Sequence, residues 1–286
     1  MNAQLANREA RDLANNPIGV CSWIFGHHNY QEIARTAAEL GLDGIELLVD
    51  IYKHDPHKIK EIFSAQGLTI LSMTPDNVDI ASPEANTRAQ SIRYYELLIE
   101  YAAALGSPAI TAHEVVGRNQ PVDNRTLEWQ RLVDSCYRLA AKASQANIQV
   151  VFEPLNRNIV SSVINSSQAL KLAQQINSDS FGIVLDTFHM TKEEQDCALA
   201  IEQCHAFLKL YQIADSNRLG IGQGETPFMP QFAALERIGY HSPVVIECCV
   251  NITGPSLSAQ KVDQHRLRES IAISAQWLQQ HRMTAE

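Results

Sequence analysis

The sequence predicts an α/β fold, a single (β/α)8 TIM barrel, and three observations predict it. Apolar strand-like runs alternate strictly with amphipathic, helix-favouring stretches, the pattern of a parallel sheet with crossover helices. Eight such runs can be read along the chain, the number that closes a sheet into a barrel, and 286 residues suit a fold that needs about 250. Four of the runs end in an oxygen-bearing side chain, as strands do where they emerge into a site at a barrel mouth.

The eight runs are PIGVCS (17–22), DGIEL (43–47), LTILSM (68–73), PAITAH (108–113), IQVVFE (148–153), FGIVLD (181–186), FLKLYQIAD (207–215) and PVVIEC (243–248). Most are nearly continuous in Val, Ile, Leu and Phe rather than alternating, as expected for strands covered on both faces. Between and after them lie helical stretches at 30–40, 56–66, 82–105, 124–145, 167–176, 192–204, 230–238 and 260–281. Ser82-Pro83-Glu84 reads as an N-cap with a first-turn proline, and Gly41, Gly67, Gly106 and Gly239 sit just past helical stretches as stops. The helix at 84–105 carries an apolar face that the barrel itself needs, so that face alone says nothing about a dimer. With no linker-like or low-complexity tract, residues 1–286 read as one domain, with 1–16 as an N-terminal extension.

Composition narrows the function classes. A net charge of −9 without a basic run longer than two residues leaves no electrostatic footprint for a phosphate backbone, so nucleic acid is not expected as a partner. No stretch approaches eighteen apolar residues and the N-terminus is polar, so neither a membrane nor a secretion signal is expected and the cytoplasm is the expected location. The six cysteines lack C-x-x-C spacing and read as free thiols.

The chemistry concentrates in Glu153, Asp186, Gln212 and Glu247, about thirty residues apart at the ends of IQVVFEPLNR, FGIVLDTFHM, LKLYQIADSNR and SPVVIECCV. A strand-end acid taken singly is often a salt-bridge partner or a helix cap. Four oxygen donors at equivalent strand ends instead suggest one divalent cation, Mn2+ first, with Mg2+, Co2+ or Zn2+ as alternatives. Barrel geometry places two further substrate contacts at the same mouth: Trp23, at the exit of strand one, as an apolar wall, and His113, at the exit of strand four. His27 and His28 look like a metal pair, but adjacent residues point apart. Gly220-x-Gly222-x-Gly224 lacks the spacing of a nucleotide loop and reads as loop flexibility near the site.

The segments EPLNR, LDTFHM, IADSNR-x-x-x-G-x-G and IEC resemble the sugar isomerase/epimerase superfamily, whose barrels are shared with xylose isomerase and endonuclease IV. The nearest resemblance is to ketose 3-epimerases and hydroxypyruvate-isomerase-like proteins, in motifs confined to residues 153–249. GLDGIEL matches in style only. The resemblance implies a xylose isomerase-like barrel with a metal held by Glu, Asp, His and Glu, which fall on Glu153, Asp186, Gln212 and Glu247; Gln212 therefore departs from the pattern. It also implies substrate contacts from His189 and Arg218 and admits a homodimer. Where ketose epimerases have a glutamate for the sugar's terminal hydroxyl end, six places after the first metal glutamate, this chain has Ile159, which accepts no hydrogen bond. The expected activity is a metal-dependent isomerase or epimerase of a carbohydrate or polyol ketone, with Glu153 and Glu247 moving a proton beside a carbonyl through a metal-stabilised enediolate. Ile159 motivates an inosose-dehydratase-like lyase as the alternative, and the missing histidine motivates a barrel that binds a metabolite without turnover. The endonuclease reading needs more histidines and a basic face, and neither is present.

Overall fold

The computed structural model describes residues 16–282. Eight parallel strands pair in chain order and close on themselves: β1 (Ile18–Cys21), β2 (Gly44–Leu47), β3 (Thr69–Met73), β4 (Ala109–Ala112), β5 (Gln149–Phe152), β6 (Phe181–Asp186), β7 (Leu208–Ile213) and β8 (Val244–Ile246), with β8 returning to β1. Around them run α1 (Tyr30–Glu39), α2 (Pro56–Ser64), α3 (Ala85–Leu105), α4 (Arg125–Ala146), α5 (Ser166–Ile176), α6 (Thr187–Glu193), α7 (Cys197–Gln203), α8 (Phe228–Arg237) and α9 (Gln264–Gln280). The fold is the (β/α)8 TIM barrel that the alternation predicts. The stretch read as an N-terminal extension lies outside the described residues apart from Asn16, whose amide donates to the carbonyls of Tyr240 and Ser242.

Local chemistry sets most helix starts. Asn29, Asp55, Asn124, Asn165, Asp186, Asp196 and Asp263 each accept a first-turn backbone N–H, satisfying donors that a helix leaves free. Gly41, Gly67, Gly106 and Gly239 all take positive φ where a helix stops, as their positions predict. The Ser82 expectation is corrected: the Ser82 hydroxyl accepts from Glu84 N–H at 3.2 Å in a turn that precedes the helix, and α3 begins only at Ala85. The stretch at 192–204 is also corrected, because it is two helices rather than one. Glu194 leaves helical geometry so that its carboxylate can accept from Ser166 N–H at the start of α5, and Asp196 then caps α7.

The core occupies the barrel interior and the layer between strands and helices. Along α3, Ile92, Tyr95, Leu98, Ile99, Ala102 and Leu105 are buried, so its apolar stripe is consumed by the barrel wall. Gly19 and Gly44 are register partners, and each lacks a Cβ where Leu71 of β3 packs, at 2.5 Å from a Cβ built on Gly19 and 2.7 Å from one built on Gly44.

The glycine-rich segment after β7 is ordered rather than loose, which corrects its reading as loop flexibility. It wraps the buried Asp215 carboxylate, which accepts from the backbone N–H groups of Ser216, Gly222, Gly224 and Thr226 at 2.7–2.9 Å. A Cβ on Gly224 would stand 2.5 Å from Asp215 Oδ1, and one on Gly220 would stand 2.4 Å from the Ser270 carbonyl. The loop thus resembles an anion nest filled by the protein's own carboxylate.

Candidate active site

Glu153 follows β5 by one residue, Asp186 ends β6, Gln212 lies next to the end of β7, and Glu247 follows β8 by one residue. The strand pairing sets Asp186 beside Gln212 and Gln212 beside Val245, so the last three donors occupy adjacent strands at one rim. A reciprocal clamp holds that spacing: Thr187 Oγ1 donates to the Ala214 carbonyl at 2.5 Å and accepts from Ala214 N–H at 2.8 Å. Glu153, Gln212 and Glu247 line one cavity, about 470 Å³ including its mouth, together with His113, His189, Arg218 and Ile159. Asp186 is fully buried and does not line the cavity.

Among the described residues, two triads each hold potential ligand atoms within 4.8 Å of one another: Glu153/Asp186/His189 and Cys21/Glu46/Glu247. Hydrogen bonding separates donors that are free from donors that are spent. His189 Nδ1 accepts from both Asn156 N–H (3.1 Å) and Asn156 Nδ2 (2.9 Å), so the neutral ring carries its proton on Nε2 and has no lone pair there for a metal. Nε2 lies 3.4 Å from Asp186 Oδ2 and 3.9 Å from Glu153 Oε1, with no hydrogen bond to either. Glu46, fully buried at the end of β2, is saturated: Ser72 Oγ donates to Oε2 at 2.7 Å, while Thr74 Oγ1 (3.0 Å), Gln212 Nε2 (2.9 Å) and Cys21 Sγ (3.6 Å) converge on Oε1.

Among the described residues, three buried oxygens at this rim accept no hydrogen bond: Asp186 Oδ2, Gln212 Oε1 and Glu247 Oε2, the last with Arg218 3.6 Å away. Leaving a buried acceptor unsatisfied costs roughly 1–3 kcal/mol, so three at one rim demand an explanation. A divalent cation supplies one, and the donors present are carboxylate and amide oxygens suited to a hard ion. The quartet Glu153, Asp186, Gln212 and Glu247 offers only oxygen donors, whereas each triad includes a side chain already committed to hydrogen bonds.

Burial pushes the Glu153 carboxyl well above its ordinary range, and the neighbouring Asp186 and Glu46 push the same way against Arg218. Glu247 is raised well above its range by burial and Asp186, again opposed by Arg218. Burial lowers His189 to about 4 despite the pull of Asp186, so it is a neutral donor at pH 7. His113 is lowered by burial too; its Nδ1 faces the Glu114 carbonyl at 2.7 Å, which puts its proton there and leaves Nε2 as an acceptor. The site thus holds two neutral histidines of opposite hydrogen-bonding sense.

Arg218 has a left-handed backbone (φ 63°), donates to the Thr253 carbonyl at 3.0 Å, and lies 3.6 Å from Glu247 Oε2. Its guanidinium covers the rings of Phe188 (4.8 Å) and Trp23 (5.7 Å). Trp23 is buried behind Arg218 and is not among the cavity-lining residues, so it backs the site rather than walling it. Glu46, Asn156 and Phe188 were not singled out in the sequence. For Glu46 the signal was present, because DGIEL is another apolar run carrying an acid near its end.

The xylose isomerase-like TIM-barrel family model matches residues 34–280. A ketose 3-epimerase of Arthrobacter globiformis is 27% identical over 241 residues, covering 82% of this chain and 83% of that protein. An L-ribulose 3-epimerase of Mesorhizobium japonicum is 25% identical over 269 residues, covering 91% and 88%. Among solved structures, a D-allulose 3-epimerase from Methylomonas sp. in complex with D-allulose superimposes with a TM-score of 0.85 at 22% identity, covering 94% of this chain and 98% of that one.

Proposed function

The chain belongs to the xylose isomerase-like TIM-barrel family, and from that premise we propose that it is an epimerase or isomerase of a ketose or polyol ketone, using one divalent cation held by Glu153, Asp186, Gln212 and Glu247. The observation that carries the reading is the trio of partnerless buried oxygens on three of those four residues.

A divalent cation in this site would hold vicinal substrate oxygens and draw charge onto a carbonyl oxygen. Epimerisation needs a carbon-bound proton removed from one face and returned to the other, so two groups must flank the carbon. Glu153, just after β5, and Glu247, just after β8, face the cavity from separate strands, and burial raises the affinity of both for a proton. His189 Nε2–H and the Arg218 guanidinium donate toward the oxygen on which charge develops. His113 Nε2 accepts from a substrate hydroxyl. Val116, Leu155 and Ile159 line the cavity as well and offer no acceptor, which favours a substrate that does not present a free terminal hydroxyl there.

The test has two stages. Plasma mass spectrometry of the purified protein should find near-stoichiometric Mn, Mg, Co or Zn, and Glu247→Gln prepared alongside should lose it; empty protein that stays empty after incubation with each metal would sink the cation assignment. Incubation with ketoses and inososes in heavy water should then place deuterium on the carbon beside the carbonyl. Protium retained across the whole panel would sink the isomerase reading.

A further inference from the structure

The Gln212 amide has two ends, and only one suits a cation. Its Nε2 donates to Glu46 Oε1 at 2.9 Å, and its Oε1 is buried without any partner. A carboxylate accepts and does not donate, so the hydrogen bond to Glu46 forces the NH2 group toward β2 and the carbonyl oxygen the other way. Glu46 is itself immobilised by Ser72 Oγ and Thr74 Oγ1, both from strand β3 or its exit, so the amide is oriented by a fixed frame. Asp186 and Glu247, on the strands that flank β7, contribute the other two partnerless oxygens.

We infer that Glu46 is a positioning residue that locks Gln212 with its carbonyl oxygen toward the cation, making an all-oxygen donor set that favours Mg2+ or Mn2+ relative to Zn2+ more than the same set with histidine at 212 would. The inference rests on the proposed metal site and adds to it the orientation and the preference. With three carboxylates and one amide oxygen the set has no nitrogen or sulfur donor, the condition under which hard cations compete best. Glu46 acts here as the outer-shell partners of metal ligands do, fixing which atom the ligand presents.

Calorimetric titration with MnCl2, MgCl2 and ZnCl2 tests this on the natural chain, Gln212→Ala, Glu46→Leu, the double variant and Gln212→His. Gln212→Ala and Glu46→Leu are each expected to weaken Mn2+ binding by about tenfold or more, the usual effect of losing a ligand's support. The double variant is expected to bind within about twofold of Gln212→Ala, because Glu46 has nothing left to orient. Gln212→His keeps an N–H for Glu46 and turns a ring nitrogen to the cation, so the Zn2+ to Mn2+ affinity ratio is expected to rise about tenfold or more. If Glu46→Leu melts without a cooperative transition, Glu46→Gln completes the same cycle, since its amide can donate as well as accept and releases the orientation at constant volume.

Losses that multiply in the double variant would show that Glu46 acts through charge or scaffold alone and overturn the inference. So would Gln212→Ala or Gln212→His binding both metals as the natural chain does. A natural chain that binds no metal would overturn the site itself, whereas binding with an additive cycle overturns only the role of Glu46.

Discussion

Residue by residue, the site depends on which polar atoms already have partners. The side chains proposed as metal donors were legible as residue types at strand ends, but their availability was not. Gln212 is oriented by Glu46, 166 positions away in sequence, and no local pattern reports that contact. Asp215 illustrates the opposite case, an acid beside the site that is fully occupied. Although burial alone would raise its pKa, the N–H groups of Thr226, Ser216 and Gly224 outweigh that and hold it below its ordinary 3.8. A depressed carboxyl contributes stability that is present above the unfolded-state pKa and lost as pH falls through the folded value. Asp215→Asn should therefore lower unfolding stability in urea by roughly 1–3 kcal/mol at pH 6. The gap between variant and natural chain should narrow as pH drops below about 4. An equal gap at pH 6 and pH 3 would mean that the carboxylate's charge is not what the loop binds.

At the level of elements, strand order and strand ends were readable because apolar runs and their terminal acids are local features. Helix boundaries at Ala85 and between Glu193 and Cys197 were not, because Glu194 leaves its helix to serve Ser166 on another element. The segment after β5 depends on a similar remote contact. Glu114, after β4, accepts from Ser162 N–H (3.0 Å) and Val163 N–H (2.6 Å), and Gly117 N–H donates to the Ile159 carbonyl at 3.0 Å. These bonds tie the segment that carries Ile159 to the wall that carries His113. Glu114→Ala leaves two backbone donors without their acceptor, a cost of roughly 1–3 kcal/mol each. For a chain of this size each kcal/mol lowers Tm by about 2–4 °C, so a fall of roughly 4 °C or more is expected by calorimetry. Substrate KM should rise with it while kcat changes less. A lower Tm with KM unmoved would show that the Ile159 segment does not touch the substrate.

For the whole molecule, eightfold βα alternation predicted a parallel sheet covered on both faces, and its repeat number pointed to the closed barrel that the strand pairing forms. What alternation cannot report is the electrostatic consequence of closing it around Glu46, Glu114, Glu153 and Glu247, all buried and all raised by that burial. A carboxyl whose folded pKa is raised stabilises the fold fully below its unfolded value, and that contribution is lost as pH rises through the folded value. His189, lowered to about 4 from 6.5, works in the other direction: its contribution is present above 6.5 and fades as pH falls toward 4. The four carboxyls outweigh the one histidine, so these groups should make the metal-free protein in EDTA less stable as pH rises above the ordinary carboxyl range, with several degrees of Tm lost between pH 6.5 and pH 8.5. Cation binding requires the carboxyls ionised, so its stabilisation grows over the same interval. Saturating Mn2+ should therefore raise Tm little at pH 5 and most at pH 8.5, flattening or reversing the decline. Scanning calorimetry at four pH values with and without Mn2+ measures both slopes. A Mn2+ effect that is constant with pH would mean that the ion binds away from these carboxyls.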